Sequence, residues 1–160
     1  TEHKYLGSYE QLAQTVIKYS KAPYLDVQKF WEIVLFSWIT GNSDMHCKNF
    51  SLLDEGEGYS LSPAYVLLAV LLADPNDTDE LAMPVFTGGK TSGFNRETFT
   101  QALIQSGVPA NAAEKCIDRM TRHQDKWLEI IDSSFLPDDL KTSYKELILA
   151  RLKLITGHVF

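Results

Sequence analysis

The ten residues from Gly41 to Phe50 combine side chains that could handle phosphate and a metal ion. They read Gly-Asn-Ser-Asp-Met-His-Cys-Lys-Asn-Phe, with an acid, Asp44, five positions before an amide, Asn49. Phosphoryl transfer asks a protein mainly for positioning and charge neutralisation: an acid orients the attacking hydroxyl, oxygen ligands hold Mg²⁺, and a cation meets the phosphate. Asp44 suits the first task and Asn49 the second, while His46 and Lys48 suit the third.

Each of these residues also has an ordinary structural interpretation. Asp44 could be a turn acid, Asn49 a strand-edge residue, and Lys48 a solvated cation. His46 could simply be a hydrogen-bonded loop histidine. The combination favours a site, because the polar loop lies between a long apolar helix and an apolar strand, where catalytic groups are often held. The interval between acid and amide is also that of protein-kinase catalytic loops.

The elements around this loop follow from hydrophobic periodicity and from capping residues. Ser8 and Gln11 form a capping-box pattern that predicts a first helix to about Tyr19. We expect Pro23 to stop that segment and Asp26 to cap a second helix, 27–40. This second helix is apolar on most sides, which places it at the centre of the domain.

Beyond the loop, the pattern predicts one hairpin followed by helices. Residues 49–53 and 59–61 read as two strands around a turn at 54–58. Pro63 is expected to open a helix to about Leu72. Three further helices are predicted at 96–106, 110–131 and 137–155. The predicted fold class is therefore mainly α with a small β-hairpin.

Size and composition narrow the function classes. The 160 residues correspond to one domain or to one lobe of something larger, with 44% apolar and 22% charged residues. A net charge of −6 argues against direct nucleic-acid binding, which needs clustered Lys and Arg. The apolar run 64–73 is too short to cross a membrane. Cys47 and Cys116 lack a CxxC partner, which favours reduced thiols and a cytoplasmic protein.

The residues Gly-Asn-Ser-Asp-Met-His-Cys-Lys-Asn-Phe-Ser, the hairpin, and then Leu-Ser-Pro-Ala-Tyr together resemble HipA-like kinases, the toxins of bacterial toxin–antitoxin pairs. The segment Lys4-Tyr5-Leu6-Gly7-Ser8-Tyr9-Glu10 resembles the family segment that precedes the C-terminal lobe. The resemblance implies a protein-kinase-like C-terminal lobe, ATP and Mg²⁺ as ligands, and Ser/Thr phosphorylation of a protein. Family substrates include aminoacyl-tRNA synthetases, and a family partner is a small DNA-binding antitoxin.

The resemblance also implies roles for individual residues. Asp44 matches the catalytic acid and Asn49 the metal-binding amide, while His46 and Lys48 match other positions of the same loop. The family places an Asp directly after the Tyr of Ser-Pro-Xaa-Tyr as a second metal ligand, and here that residue is Val66. Because valine cannot coordinate Mg²⁺, we expect this departure to impair activity. Asp54 and Glu57 could replace the lost acid, but turn acids are usually solvated.

The domain assignment is a single HipA-like C-terminal lobe over 1–160, with the N-terminal small lobe absent from this chain. Thr87-Gly88-Gly89-Lys90-Thr91 lacks the leading glycine of a phosphate loop, so we expect the small lobe upstream, on a separate chain, or nowhere.

Three hypotheses on function remain open. The first is an impaired toxin-kinase lobe, and the second is a non-catalytic module that binds an antitoxin or another protein. The third is a metal-dependent hydrolase using Asp44 and His46. The hydrolase is disfavoured because the other histidines, His3, His123 and His158, have no ligand-like spacing.

Overall fold

The computed structural model describes residues 2–54 and 56–157, and the side chains of Glu2 and His3 lie outside that description. Seven α-helices and one antiparallel hairpin make up these residues, in agreement with the predicted fold class. The helices are α1 (Tyr9–Tyr19), α2 (Pro23–Ile39), α3 (Val70–Ala73), α4 (Arg96–Gln105), α5 (Ala110–Thr121), α6 (Gln124–Ser133) and α7 (Asp138–Thr156). The strands are β1 (Leu52–Asp54) and β2 (Tyr59–Leu61), and short 3₁₀ turns occupy Glu2–Tyr5 and Cys47–Asn49.

Helix α1 begins as its sequence predicts. The Ser8 hydroxyl accepts from the Gln11 N–H, and the Gln11 side chain accepts from the Ser8 N–H, which completes the capping box. The N–H groups of Tyr9 and Glu10 donate to the carbonyls of Pro84 and Val85 at 3.0 Å. Two backbone groups that a helix start leaves unpaired are thereby satisfied by another segment, which fixes α1 on the core.

Helix α2 is the centre of the molecule, as its apolar circumference predicts. It contacts α1, α4, α5 and α7. Its buried side chains include Phe30, Trp31, Val34, Leu35 and Trp38. The prediction for its start was wrong: α2 begins at Pro23, because a proline is well accommodated in the first helical turn. Asp26 is therefore not a cap and lies buried inside that first turn.

The hairpin attaches to α2 through the Asp26 carboxylate. Strands β1 and β2 pair Leu52 with Leu61 and Asp54 with Tyr59. One Asp26 oxygen, Oδ2, accepts from the Leu61 N–H at 2.8 Å and from the Ser20 hydroxyl at 2.7 Å.

The first strand was predicted three residues too early, since the 3₁₀ turn Cys47–Asn49 precedes it. The predicted turn at 54–58 includes Glu55, which lies outside the described residues.

The helix predicted from Pro63 to Leu72 was wrong. Residues 62–69 form no regular structure, and only Val70–Ala73 are helical. Val66 has a left-handed backbone with φ 55°, which is incompatible with a right-handed helix. Val66, Leu67 and Leu68 are also exposed, so the apolar run that favoured a helix has no core to face.

The C-terminal half is helical as predicted, with one correction. The long helix expected at 110–131 is divided at Arg122–His123 into α5 and α6. The residues before α4 form no strand, although Leu81, Met83 and Val85 are buried. Among the described residues, no helix is both long and apolar enough to span a bilayer.

Candidate active site around Asp44

The loop that follows α2 is held rigidly at its start. The Asn42 N–H donates to the Ser37 carbonyl at 2.8 Å, and the Gly41 carbonyl accepts from the Leu71 N–H at 3.0 Å. Gly41 has φ 75°, and a Cβ on it would lie 2.6 Å from Leu147 Cδ2. Position 41 therefore favours glycine for its left-handed conformation, and a Cβ there would also displace the Leu147 side chain of α7.

Asp44 lies at a pocket of about 440 Å³. Its side chain is 41% exposed, so a ligand in the pocket can reach the carboxylate. The pocket is lined by Tyr5, Ser43, Asp44, Val70, Asp77, Asp79 and Ala82. A carboxylate at the edge of an open pocket can orient a hydroxyl, which is the chemistry that its sequence context predicts.

Asn49 and Asp44 are linked through the loop backbone. The Asn49 Nδ2 group donates to the Asp44 carbonyl at 2.8 Å, and the Asn49 residue is 8% exposed. This bond orients the amide, and its other atom, Oδ1, is an oxygen of the kind that Mg²⁺ accepts. The five-residue spacing thus corresponds to a physical contact that fixes Asn49 relative to Asp44.

His46 and Lys48 differ in their relation to Asp44. The His46 Nε2 atom lies 3.9 Å from Asp44 Oδ1, while its buried Nδ1 has no hydrogen-bond partner within the described part of the chain. Lys48 is exposed, and its backbone carbonyl accepts from the Tyr65 hydroxyl at 3.1 Å. The structure therefore brings Asp44, His46 and Asn49 together and leaves the Lys48 side chain on the surface.

Lys4 and Tyr5 also belong to this site, although no sequence pattern predicted a role for them. The Tyr5 hydroxyl donates to Asp44 Oδ1 at 3.0 Å, and Lys4 Nζ lies 3.5 Å from the same oxygen. A hydrogen bond with Tyr5 raises the pKa of Lys4, and the negative charge of Asp44 adds to this against partial desolvation. One sequence signal for their involvement was available, namely the resemblance of residues 4–10 to a family segment. That resemblance did not indicate a role for either residue.

A second tyrosine supports the loop from inside the core. Tyr9 is fully buried, and its hydroxyl donates to the Met45 carbonyl at 2.7 Å. Burial raises the pKa of Tyr9 well above its ordinary value, so the phenol remains a proton donor. The backbone next to Asp44 is therefore tied to α1.

The position expected to hold a second metal ligand lies next to this loop. The Asn42 Nδ2 group donates to the Val66 carbonyl at 2.8 Å. Asn42 Oδ1 is buried without a hydrogen-bond partner among the described residues. The loop 41–50 thus contacts the backbone of residue 66 directly, although Val66 offers no ligand.

Two further acids, Asp77 and Asp79, also line the pocket. The Ser43 hydroxyl donates to Asp77 Oδ2 at 2.7 Å, and Asp77 Oδ1 accepts from the Asp79 N–H at 3.0 Å. Within the described residues there is no group of three or more His, Cys, Asp or Glu side chains arranged to hold a metal ion. The pocket is acidic, and the Asp77 carboxylate already accepts hydrogen bonds from Ser43 and from the Asp79 N–H.

The described fold is that of a protein-kinase-like lobe of the HipA type. The described fold superposes on HipA of Shewanella oneidensis MR-1, solved with HipB and its operator DNA, with a TM-score of 0.78 and 24% identity. The match covers 96% of this chain and 37% of the HipA chain.

The sequence comparisons identify the family. A model of the HipA-like C-terminal domain matches residues 1–128, so the chain belongs to this family. Two proteins of Sinorhizobium fredii, "Putative kinase Y4mE" and "Putative kinase Y4dM", are 36% identical over 66 residues and 40% identical over 73 residues. These matches cover 41% and 44% of this chain but only 16% and 17% of the two relatives.

Proposed function

We propose that this chain is the catalytic-loop lobe of a HipA-like kinase that transfers the γ-phosphate of ATP to Ser or Thr of a protein. The observation that carries the proposal is the contact between Asn49 and the Asp44 backbone beside an open pocket. This contact fixes the position of the Asn49 amide relative to Asp44. A solvated turn acid and a strand-edge amide would have no need of such a contact. Family membership and the kinase names of the two relatives support the same reaction class.

In this proposal, Asp44 accepts a hydrogen bond from the substrate hydroxyl and orients it for attack. Proximity and orientation of this kind contribute much of the acceleration in phosphoryl transfer, because the protein performs little covalent chemistry. His46 lies close enough to Asp44 to donate a hydrogen bond to a phosphate oxygen in the same region. We also propose Lys48 as a phosphate-binding cation. Its side chain lies on the surface and would have to reach the phosphate from there.

The fit to Mg²⁺ is incomplete. Asn49 offers one oxygen ligand, but Val66 stands where a carboxylate would complete the set, and Mg²⁺ prefers several hard oxygen ligands. Mg²⁺ bound with ATP would supply charge neutralisation at the phosphates. We therefore assign no step to the metal, and we infer that Val66 weakens nucleotide binding and impairs transfer.

The partners of the proposed kinase follow from the family. A protein substrate such as an aminoacyl-tRNA synthetase, a DNA-binding antitoxin and a separate small lobe would complete its function in the cytoplasm. Support for the antitoxin comes from the Shewanella protein, which was solved with HipB and its operator DNA. The acidic pocket and the net charge of −6 favour protein partners over direct contact with nucleic acid.

A non-catalytic interaction module is the second candidate. The specific observation in its favour is the exposed run Val66, Leu67 and Leu68, which replaces a ligand-bearing segment by an apolar one. Exposed apolar residues of this kind often contact another protein.

Calorimetric titration of Mg²⁺-ATP into the wild-type chain, Val66→Asp and Val66→Asn separates these candidates. We expect Val66→Asp to bind at least about ten-fold more tightly than the other two, because a carboxylate is a far better Mg²⁺ ligand than a valine or a neutral amide. The asparagine variant is the matched control, since it has nearly the size and shape of aspartate without its charge.

Equal binding by Val66→Asp and Val66→Asn would contradict the metal-site interpretation. An absence of binding in all three proteins would contradict nucleotide binding by this lobe and favour the interaction module.

A further inference from the structure

The 3₁₀ turn Glu2–Tyr5 packs against the Asp44 loop. The reaction proposed above gives this turn no role. Three groups converge on one oxygen, Asp44 Oδ1: the Tyr5 hydroxyl at 3.0 Å, Lys4 Nζ at 3.5 Å and His46 Nε2 at 3.9 Å. A carboxylate has two oxygens, and these contacts all use the same one. Within the described residues, these contacts leave the other oxygen, Oδ2, available to accept a hydrogen bond.

The turn is anchored by contacts independent of Asp44. The Cys47 thiol donates to the Lys4 carbonyl at 3.0 Å, and the Tyr5 ring meets the His46 ring edge-on at a centroid distance of 5.5 Å. Lys4 Nζ also lies 4.5 Å from the centroid of the Tyr5 ring. Helix α1 begins after the three intervening residues 6–8, and its buried Tyr9 donates a hydrogen bond to the Met45 carbonyl. The turn and the loop are therefore joined at several points about forty residues apart in sequence.

The charges around the pocket explain why contacts from Lys4 and Tyr5 to Asp44 would matter. Asp44 lines the same pocket as Asp77 and Asp79, and carboxylates that share a pocket repel one another. The Lys4 ammonium, which is charged at neutral pH, lies 3.5 Å from Asp44 Oδ1 and offsets part of this repulsion. Without a fixed donor, a side chain that is 41% exposed would exchange between rotamers.

We propose that Tyr5 and Lys4 are positioning residues for Asp44: they hold Oδ1 and so present Oδ2 to the hydroxyl that is phosphorylated. The assignment rests on the proposed function for its consequence in catalysis. The positioning itself is a property of this chain that can be measured without any substrate.

The test measures the χ1 rotamer distribution of Asp44 by three-bond NMR couplings in the full chain. We expect one dominant rotamer in the wild type and averaging over at least two in Tyr5→Phe and Lys4→Met. Tyr5→Phe keeps the ring packed on His46, so the fold should be retained, and a thermal unfolding curve close to that of the wild type verifies this. A second readout is phosphotransfer by the assembled kinase, where Tyr5→Phe should lower kcat roughly ten-fold with an unchanged KM for ATP.

Two matched controls are available in the chain. Tyr65→Phe removes a hydroxyl that bonds Ser51 and the Lys48 carbonyl rather than Asp44. Lys18→Met removes an ammonium that lies over the Tyr19 ring at 4.9 Å, as Lys4 lies over Tyr5. Both controls should leave the Asp44 couplings unchanged.

A single Asp44 rotamer that persists in Tyr5→Phe, in Lys4→Met and in the double variant would overturn the proposal. If the assembled wild-type kinase transfers no phosphate, the proposed function fails, whereas the coupling measurement still decides whether the turn positions Asp44.

Discussion

Val66 has a backbone conformation that valine rarely adopts. Its φ of 55° lies in the left-handed region, where a β-branched residue is an outlier and an L-residue loses roughly 1–2 kcal/mol. The hydrogen bond from Asn42 to the Val66 carbonyl contributes to holding it there. Strain of this kind persists where the surroundings impose it, and here those surroundings are the Asp44 loop.

Val66→Asn should therefore stabilise the chain by about 1 kcal/mol, because asparagine tolerates the left-handed region. Urea denaturation of the wild type and the variant measures the free energy of unfolding. Val66→Thr is the control, since it stays β-branched and should bring no gain. An asparagine variant less stable than the threonine variant would show that the backbone strain is not the dominant effect.

Between elements, the Asp26 carboxylate joins α2 to the hairpin. It is buried, and it accepts from the backbone of β2 and from Ser20. Burial by itself raises the pKa of Asp26, but the hydrogen bonds from Leu61 and Ser20 and the charge of Lys29 lower it, and the net shift is downward. The ionised form therefore stabilises the fold.

Asp26→Asn should lower the free energy of unfolding by about 2 kcal/mol at neutral pH, since a charged acceptor is lost and an amide N–H₂ can face the Leu61 N–H. Because the folded pKa is below the unfolded value of about 3.9, the wild-type advantage is complete above that value and disappears as the pH falls through the folded pKa. Urea denaturation between pH 7 and pH 2 should show the two stabilities converging at the acid end. A constant difference across this range would mean that the charge of Asp26 is not the stabilising feature.

Across the whole molecule, Glu80 ties the loop between α3 and α4 to two helices. Arg151 Nη1 on α7 lies 2.6 Å from Glu80 Oε2, and the Trp38 indole N–H on α2 donates to the same oxygen at 2.8 Å. The Arg151 guanidinium also lies 4.8 Å from the Trp38 ring. Because Asp77 and Asp79 belong to this loop, the network positions one wall of the Asp44 pocket.

Arg151→Met should destabilise the chain by on the order of 3 kcal/mol, because it leaves Glu80 largely buried without its cation. Lys145→Met removes a cation from the exposed pair with Asp132 and should cost no more than about 1 kcal/mol. Denaturant unfolding of both variants gives the comparison. Equal losses would indicate that the Glu80 network is no stronger than a surface ion pair.

Much of the fold could be predicted from local patterns. The capping box at Ser8 marked the start of α1, and the apolar circumference of 27–40 placed α2 at the centre. The same approach failed at 63–72, because an apolar run does not reveal whether its neighbours impose a helix or a left-handed residue. It also merged α5 with α6, since periodicity is insensitive to a break of two residues.

For the candidate site, the sequence alone determined the chemistry that one loop can offer. The types and spacing of Asp44, His46 and Asn49 are local properties, as is the absence of an acid at Val66. Only the tertiary structure decided which groups meet that loop. Lys4 and Tyr5 reach Asp44 across about forty residues of chain, and Asp77 arrives from a separate loop held by Glu80 and Arg151. The physical reason is that contacts between distant segments depend on how α1, α2 and α7 pack, and no short window of sequence encodes that packing.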